Sequence, residues 1–209
     1  MKKTVYIPIL FLFLTITLLS FTSITFTSET SIKNFSLKNV NNKTVSLSGF
    51  KNAKGFMIVF TCNKCPMAKF YSERLNKLNY TYKSKGVYLL AINSMDTLAY
   101  AEESFKLMKK KATKDKLTFP YLQDKLQVVA KQFKATHTPQ AFVIWKNNKG
   151  QFTIKYKGAI DDNAGDTTNA KPFLANAVEE LLNNKPVSEN NTESFGCRIF
   201  YRGEKQSMY

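Results

Sequence analysis

Downstream of residue 30 the hydrophobic positions alternate between strand-like and helix-like spacing. Residues 55–60 and 87–92 are continuous apolar runs of strand length, which is the pattern of strands buried on both faces. Each run is followed by a stretch with helical spacing, the first reaching residue 82 and the second covering residues 98–111. This order predicts a β-α-β unit at the centre of the fold.

Weaker patterns on either side predict the remaining elements. Leu98 begins the apolar side of the helix over residues 98–111, and Leu126 is predicted to face inward in a later helix. The further elements are hairpins over residues 35–47 and 141–156 and helices over residues 125–133 and 172–183. Alternating helices and strands, closed by a hairpin and a helix, predict an α/β fold with a central mixed β-sheet flanked by helices.

The N-terminus has a different character. Lys2 and Lys3 precede an apolar, Thr-rich run over residues 5–19, the charged start and short apolar core of a secretory signal. The run spans 15 residues (19 − 5 + 1), whereas a membrane-spanning helix needs about 20. We therefore expect residues 1–28 to be a signal peptide or an uncleaved N-terminal tether, followed by a domain over residues 31–185 and a C-terminal tail over residues 186–209.

Composition narrows the function classes. The formal net charge is +16, but the lysine-rich stretch over residues 106–116 carries no aromatic interleaving and no nucleic-acid-binding motif. We interpret that stretch as a solvated helix face and expect no nucleic-acid partner. Three cysteines and one histidine cannot build a disulfide-rich scaffold, nor a four-ligand zinc site without carboxylates or water. We predict no cofactor and no resident metal.

The most informative residues stand where the first buried strand gives way to a helix. Cys62 and Cys65 have the C-x-x-C spacing there. Unpaired amides and the dipole at a helix N-terminus favour a thiolate and should lower the pKa of Cys62, and Lys64 adds positive charge. Cys65 can attack a mixed disulfide on Cys62 and release the partner. Cys62 is thus the predicted nucleophile and Cys65 the resolving thiol. The alternative is an inert structural disulfide or two buried thiols.

At these residues the chain resembles the thioredoxin superfamily. Thr138 and Pro139, just before the strand predicted at residues 141–146, are similar to the cis-proline loop that faces the cysteine pair there and pairs with an extended substrate. More narrowly, Cys-Asn-Lys-Cys-Pro at residues 62–66 and Gly-Cys-Arg-Ile at residues 196–199 resemble the exported peroxiredoxin-like, redoxin-domain branch. The resemblance implies a thioredoxin-like fold in which Thr138 and Pro139 bind the substrate.

That branch lies between two activities, disulfide exchange and peroxide reduction, and the residues of this chain distinguish between them in part. True peroxiredoxins carry a Thr or Ser three residues before the peroxidatic cysteine, together with a distant Arg that helps to activate the peroxide. Here Val59 stands three residues before Cys62, and Cys62 stands three before Cys65. The peroxidase apparatus is therefore incomplete, although Thr61 is placed to hydrogen-bond a sulfur and to support slow peroxide reduction.

His137 and Cys197 are the remaining auxiliary candidates. His137 immediately precedes Thr138, and we consider it as a proton donor or base, as a soft metal ligand beside Cys62 and Cys65, or as a plain solvated side chain. Cys197 is the odd thiol. In an exported protein a leftover cysteine suggests a further disulfide partner, which the sequence does not identify; the alternative is an incidental unpaired thiol.

The resulting hypothesis is an exported thiol–disulfide oxidoreductase, periplasmic or otherwise extracytoplasmic, that exchanges disulfides through Cys62 and Cys65. Its expected partners are protein or small-molecule disulfides and a thiol electron donor, with membrane contact only through an uncleaved N-terminal segment. The first alternative is a peroxiredoxin-like thiol peroxidase with an antioxidant role and peroxides as substrates. The second is a thioredoxin-fold copper-binding or metallochaperone domain that uses Cys62, Cys65 and His137.

Overall fold

The computed structural model describes residues 30–166 and 168–204. The predicted signal segment, residues 1–28, lies outside these ranges, as do the last residues of the C-terminal tail. Among the helices within them, none combines the length and the apolar character that crossing a bilayer would need.

The described strands form two sheets. In chain order they are β1 (Ser31–Ile32), β2 (Ser36–Asn39), β3 (Thr44–Ser46), β4 (Gly55–Phe60), β5 (Val87–Asn93), β6 (Tyr121–Gln123), β7 (His137–Thr138), β8 (Gln140–Lys146), β9 (Phe152–Gly158) and β10 (Cys197–Arg198). Eight strands form one mixed sheet in the spatial order β1-β9-β8-β4-β5-β6-β2-β3. Strands β10 and β7 form a separate antiparallel pair.

The α-helices lie on both faces of the large sheet. They are α1 (Pro66–Lys69), α2 (Ser72–Lys83), α3 (Phe105–Lys114), α4 (Val128–Phe133) and α5 (Phe173–Leu182). Residues of α1 and α4 belong to one core layer, and residues of α2, α3 and α5 belong to the other. This arrangement confirms the predicted thioredoxin-like α/β fold with a mixed sheet flanked by helices.

Strand β4 is the centre of the core. All six of its residues are buried, and it pairs in parallel with β5 and antiparallel with β8. Because successive side chains of a strand point to opposite faces, Phe56, Ile58 and Phe60 enter one core layer, whereas Met57 and Val59 enter the other. The continuous apolar run therefore fixes β4 in the core, and the position of β4 determines where the loop after Phe60 begins.

The helix predicted to follow the cysteine pair is divided into two. Helix α1 ends at Lys69, the chain turns at Phe70 and Tyr71, and α2 begins at Ser72. The turn leaves Phe70 56% exposed but buries Tyr71, whose hydroxyl donates to Asp161 at 2.8 Å. The break thus anchors the start of α2 to the loop that follows β9.

Two leucines that the pattern assigned to the core are exposed instead. Leu98 is 79% exposed because the regular helix begins only at Phe105, after a 3-10 turn at Ala101–Glu103. Leu126 is 68% exposed because it precedes α4: Gln127 has a φ of 57°, a left-handed conformation that an α-helix does not include. The inward predictions for both leucines are wrong, because backbone turns displaced the helix starts.

The C-terminal tail returns across the domain toward the cysteine pair. The backbone N–H of Thr192 donates to the carbonyl oxygen of Lys157 at 3.0 Å, which places the tail along the end of β9. A Cβ atom at Gly158 would lie 2.0 Å from Thr192 Oγ1, so glycine permits this close approach. The tail then continues to β10, which pairs with β7.

Candidate active site

The cysteine pair lies on the loop that joins β4 to α1. The N–H of Thr61 donates to the carbonyl oxygen of Ile92 at 2.9 Å and extends the β4–β5 pairing by one residue. Cys62 and Cys65 are 2% and 4% exposed, and Cys65 immediately precedes the first turn of α1. The N–H of Cys65 donates to the sulfur of Cys62 at 3.2 Å, so local backbone geometry holds the two residues together.

The loop that contains the cis peptide bond between Thr138 and Pro139 packs against this pair. Both loop residues are buried. The hydroxyl of Thr138 donates to the sulfur of Cys62 at 3.3 Å, and its carbonyl oxygen accepts a hydrogen bond from the thiol of Cys65 at 3.2 Å. The fold therefore brings together the cysteine pair and the loop that the sequence assigned to substrate binding.

Cys197 adds a third sulfur to the site. Its thiol donates to the sulfur of Cys65 at 2.7 Å, although 132 positions separate the two residues in sequence. Strand β10 makes this contact, because Cys197 pairs antiparallel with Thr138 in β7. The odd cysteine thus contacts Cys65, all three cysteines are free thiols, and a disulfide partner for Cys197 stays a prediction.

The contacts at the cluster lower the pKa of Cys65 to about 4. The largest cause is the hydrogen bond from Cys62; further hydrogen bonds from the Cys197 thiol and from the N–H groups of Ala68 and Cys197 act the same way, against the effect of burial. The hydrogen bond to Cys65 and then burial raise the pKa of Cys62, whereas the Thr138 hydroxyl opposes that rise.

These directions differ from the prediction that a helix N-terminus lowers the pKa of Cys62, and the choice of nucleophile between the two neighbouring thiols stays a prediction. Helix α1 begins at Pro66, one turn later than the sequence analysis assumed, so Cys65 occupies the position before its first turn. The amide of Ala68, which belongs to that first turn, therefore donates to Cys65. The first turn of the helix therefore donates to the second cysteine of the motif.

A buried carboxylate, missed by the sequence analysis, holds the loop between the cysteines. Glu103 is 3% exposed and accepts hydrogen bonds from the N–H groups of Asn63 at 2.6 Å and of Lys64 at 3.1 Å. The side-chain amide of Asn93 also donates to Glu103, at 2.8 Å, and the Tyr121 hydroxyl donates to Asn63 Oδ1 at 2.9 Å. In the sequence, the only signal for this role is that Glu103 lies within the stretch of helical spacing over residues 98–111.

The other predicted auxiliary residues lie near the site with weaker roles. Thr61 is buried, but within the described ranges no hydrogen bond joins its hydroxyl to a sulfur. The side chain of Lys64 is exposed. His137 is half-buried, its Nδ1 lies 3.0 Å from Thr136 Oγ1, and its backbone pairs with Arg198. In the part of the chain that the structure describes, no three His, Cys, Asp or Glu side chains are grouped to hold a metal ion.

The chain is similar in sequence and fold to solved structures. No curated protein matches the chain. Among solved structures, an uncharacterized conserved protein from Geobacillus kaustophilus is 32% identical, with a TM-score of 0.75 over 85% of this chain and 93% of that one. A hypothetical protein from Sinorhizobium meliloti 1021 is 29% identical, with a TM-score of 0.75 over 84% of this chain and 95% of that one.

A family match covers most of the folded domain. Residues 29–160 match the AhpC/TSA family, which is 132 of 209 positions (160 − 29 + 1). The matched range includes Cys62, Cys65, Thr138 and Pro139 and stops before the tail that carries Cys197. The chain therefore belongs to the AhpC/TSA family and is a redox protein of the thioredoxin superfamily.

Proposed function

We propose that this protein is an exported thiol–disulfide oxidoreductase whose redox-active dithiol is Cys62 and Cys65. The observation that carries the proposal is the position of the Cys65 sulfur. The Cys197 thiol and the first turn of α1 donate hydrogen bonds to it, and its own thiol donates to the carbonyl oxygen of Thr138 at 3.2 Å. A sulfur that accepts hydrogen bonds, beside an exchange partner and a strand-pairing edge, is the arrangement that disulfide exchange needs.

The exchange proceeds in two balanced steps. The Cys65 thiolate attacks one sulfur of a substrate disulfide, and the other substrate sulfur leaves as a thiolate. Cys62 transfers its proton to that leaving thiolate and attacks the sulfur of Cys65, which releases the second substrate thiolate and leaves a Cys62–Cys65 disulfide. Two electrons pass to the substrate, and a thiol donor returns the pair to its reduced form. Thr138 and Pro139 hold the substrate backbone.

The proposal includes export because of the N-terminal sequence. Lys2, Lys3 and the apolar run over residues 5–19 have the composition of a secretory signal. We expect the mature protein in the periplasm or another extracytoplasmic compartment, where its cysteines meet disulfide-bonded proteins. The mass of the protein recovered from that compartment measures whether a segment near residues 1–28 has been removed.

Thiol peroxidase activity is the second candidate, and one contact favours it. A sulfenic acid formed at Cys65 would lie beside Cys197, whose sulfur is 2.7 Å away and could condense with it to a disulfide and water. Against this candidate, Arg74 and Arg202 form ion pairs with Asp161 and Asp96, and the guanidinium group of Arg198 lies over the Phe200 ring, 5.4 Å from its centroid, so each arginine has another partner. We therefore rank peroxide reduction below disulfide exchange.

One experiment separates the two candidates. The fully reduced protein is divided between stoichiometric hydrogen peroxide and an oxidised protein disulfide, quenched after seconds with an alkylating agent, and mapped by mass. Rapid closure of Cys62–Cys65 with the protein disulfide, and slow reaction with peroxide, is the expected result. Rapid reaction with peroxide that links Cys65 to Cys197 would instead establish the peroxidase, and reaction with neither oxidant would overturn both candidates.

A further inference from the structure

The tail occupies the edge beside the cis peptide bond as an added strand. Cys197 and Arg198 pair antiparallel with Thr138 and His137. The N–H of Ile199 continues this pairing by donating to the carbonyl oxygen of Thr136 at 2.8 Å. Main-chain hydrogen bonds of this kind are how an extended peptide adds to an open strand edge.

Two side-chain positions of the docked strand are closely matched to the site. Ile199 is 1% exposed and packs in the same core layer as Cys62 and Cys65. Gly196 has a φ of 145°, and a Cβ atom there would lie 2.2 Å from the carbonyl oxygen of Thr138. The edge therefore accepts a strand with no side chain before the cysteine and an apolar residue two positions after it.

Further contacts hold the end of the tail in place. Gln127 is 1% exposed, donates from Nε2 to the carbonyl oxygen of Phe200 at 2.8 Å, and accepts from the N–H of Arg202 at 2.7 Å. The Tyr201 hydroxyl donates to the carbonyl oxygen of Ala135 at 2.5 Å. These contacts use the backbone of Phe200 and Arg202 and the side chain of Tyr201, all after the apolar Ile199 position, so the docked tail is a specific conformation of this chain.

We infer that the tail is an internal competitor of the substrate: it occupies the edge of β7 opposite Thr138 until a polypeptide substrate displaces it. The inference rests on the proposed function, because it assigns a regulation to the same dithiol. The docked Cys197 places a sulfur 2.7 Å from Cys65, where the sulfur of an incoming polypeptide would react. A polypeptide substrate reaches Cys65 only when the tail has left the edge of β7.

The tail is tethered to the domain, so it competes at high effective concentration. When only a fraction of the molecules is in the conformation that binds substrate, the apparent affinity for substrate falls in proportion to that fraction. If the tail is docked about nine-tenths of the time, releasing it should raise kcat/KM for a polypeptide disulfide about tenfold. The tail thereby limits exchange to substrates that pair well enough to displace it.

The test compares two tail glycines in the full mature chain. Gly196→Ala introduces the contact with Thr138, whereas Gly203→Ala is the matched control: Gly203 also has a positive φ, of 91°, but its added Cβ meets nothing within 4 Å. The substrate is the synthetic peptide Ser-Phe-Gly-Cys-Arg-Ile-Phe, copied from residues 194–200, with its cysteine disulfide-bonded to mercaptoethanol. The reference substrate is bis(2-hydroxyethyl) disulfide, which has no peptide backbone.

We expect Gly196→Ala to turn over the peptide disulfide about tenfold faster than the wild type and Gly203→Ala. We also expect it to prefer the peptide to the reference disulfide by at least about tenfold. Equal rates for the two glycine variants, or no preference for the peptide while the reference disulfide is reduced, would overturn the inference and leave the proposed function standing. If neither disulfide is reduced by any of the three proteins, the proposed function fails and the inference fails with it.

A measurement on the wild type keeps the test independent of the folding of Gly196→Ala. The peptide Ser-Phe-Gly-Ser-Arg-Ile-Phe, which cannot react, should displace the tail and accelerate hydrogen exchange at the amide of Ile199. Amides of β4 should remain protected, which shows that the domain stays folded. If saturating peptide left the rate of hydrogen exchange at the Ile199 amide unchanged, that result would contradict the inference that the tail occupies the substrate's edge.

Discussion

The carboxylate of Glu103 accepts a hydrogen bond of 2.6 Å from the backbone N–H of Asn63, across 40 positions of sequence. Glu103 lies in the 3-10 turn that precedes α3, and Asn63 lies between the two cysteines of the active-site loop. A second amide, that of Lys64, donates to the other carboxylate oxygen at 3.1 Å. The conformation of the loop therefore depends on a buried acid from a different part of the chain.

Replacing this acid should loosen the loop and change the titration of the cysteines. In Glu103→Gln, one of the two acceptor oxygens becomes an NH₂ group that cannot accept from a backbone amide, which should cost about 1–3 kcal/mol of unfolding free energy. Burial and then the hydrogen bond to Cys65 raise the pKa of Cys197 to about 11, and the charge of Glu103 also raises it. Removing that charge should therefore lower the pKa of Cys197.

Denaturant unfolding and thiolate absorbance measured against pH report these two effects separately. Glu102→Gln is the matched control, because Glu102 contributes its backbone carbonyl, and not its carboxylate, to Asn63. A purely structural role for Glu103 would change the unfolding free energy and leave the titration of Cys197 where it is.

The ionisation of Cys65 should be visible in the reduced protein. Because its pKa is lowered to about 4, the thiolate is present above that pH and is lost only as the pH falls through it. Ultraviolet thiolate absorbance should stay constant between about pH 6 and 8, whereas that of an ordinary thiol of pKa about 8.5 rises steadily there. Cys62→Ala removes the largest cause of the lowered pKa and should raise the pKa of Cys65.

Cys197→Ala provides the graded comparison for that titration. The Cys197 thiol is a smaller cause than the Cys62 thiol, and the backbone amide of residue 197 is retained in the variant. The pKa of Cys65 should therefore rise less than in Cys62→Ala. A wild-type thiolate signal that develops only near the pKa of a free thiol would refute the assignment of the charge to Cys65.

The Thr138 hydroxyl should assist the second step of exchange. It donates to the sulfur of Cys62 at 3.3 Å and opposes the rise in the pKa of that thiol. Thr138→Val keeps the shape of the side chain but removes a hydrogen bond worth about 1 kcal/mol, which corresponds to about a fivefold slower resolution of the mixed disulfide.

Single-turnover kinetics separate that step from the initial attack. Thr138→Ser retains the hydroxyl and should recover most of the rate, which distinguishes the hydrogen bond from packing at this position. Equal resolution rates in the wild type and Thr138→Val would show that the hydroxyl is dispensable.

Arg74 should matter for stability and not for redox chemistry. Its guanidinium pairs with Asp161 and donates to the carbonyl oxygens of Asn163 at 2.8 Å and Ala164 at 2.6 Å. Arg74→Met leaves a buried carboxylate without its partner and should cost about 3–5 kcal/mol of unfolding free energy. Lys85→Met, which breaks an exposed pair with Glu179, should cost less than about 1 kcal/mol.

The activity of the same variants tests whether an arginine takes part in peroxide chemistry. Under conditions in which Arg74→Met is fully folded, its rates with peroxide and with a protein disulfide should match those of the wild type. A selective loss of peroxide reduction would show that Arg74 reaches the reacting cysteine and would favour the peroxidase.

The local pattern of hydrophobic residues was sufficient to predict the central strands of this protein. The continuous apolar runs predicted the strands now seen as β4 and β5, because a strand buried on both faces has no need of alternation. The C-x-x-C spacing and the Thr138–Pro139 pair were recognisable because each depends on neighbouring residues. The fold and the superfamily followed from these segments and their order along the chain.

Tertiary structure decided what surrounds the two cysteines. The pattern could not show that α1 begins after Cys65, since Pro66 is equally acceptable inside the first turn of a slightly longer helix. Nor could it show that Glu103 and Cys197 reach the site, because their contacts span 40 and 132 positions. Such contacts depend on how the sheet sets the paths of distant segments, and neither local propensity nor hydrophobic spacing contains that information.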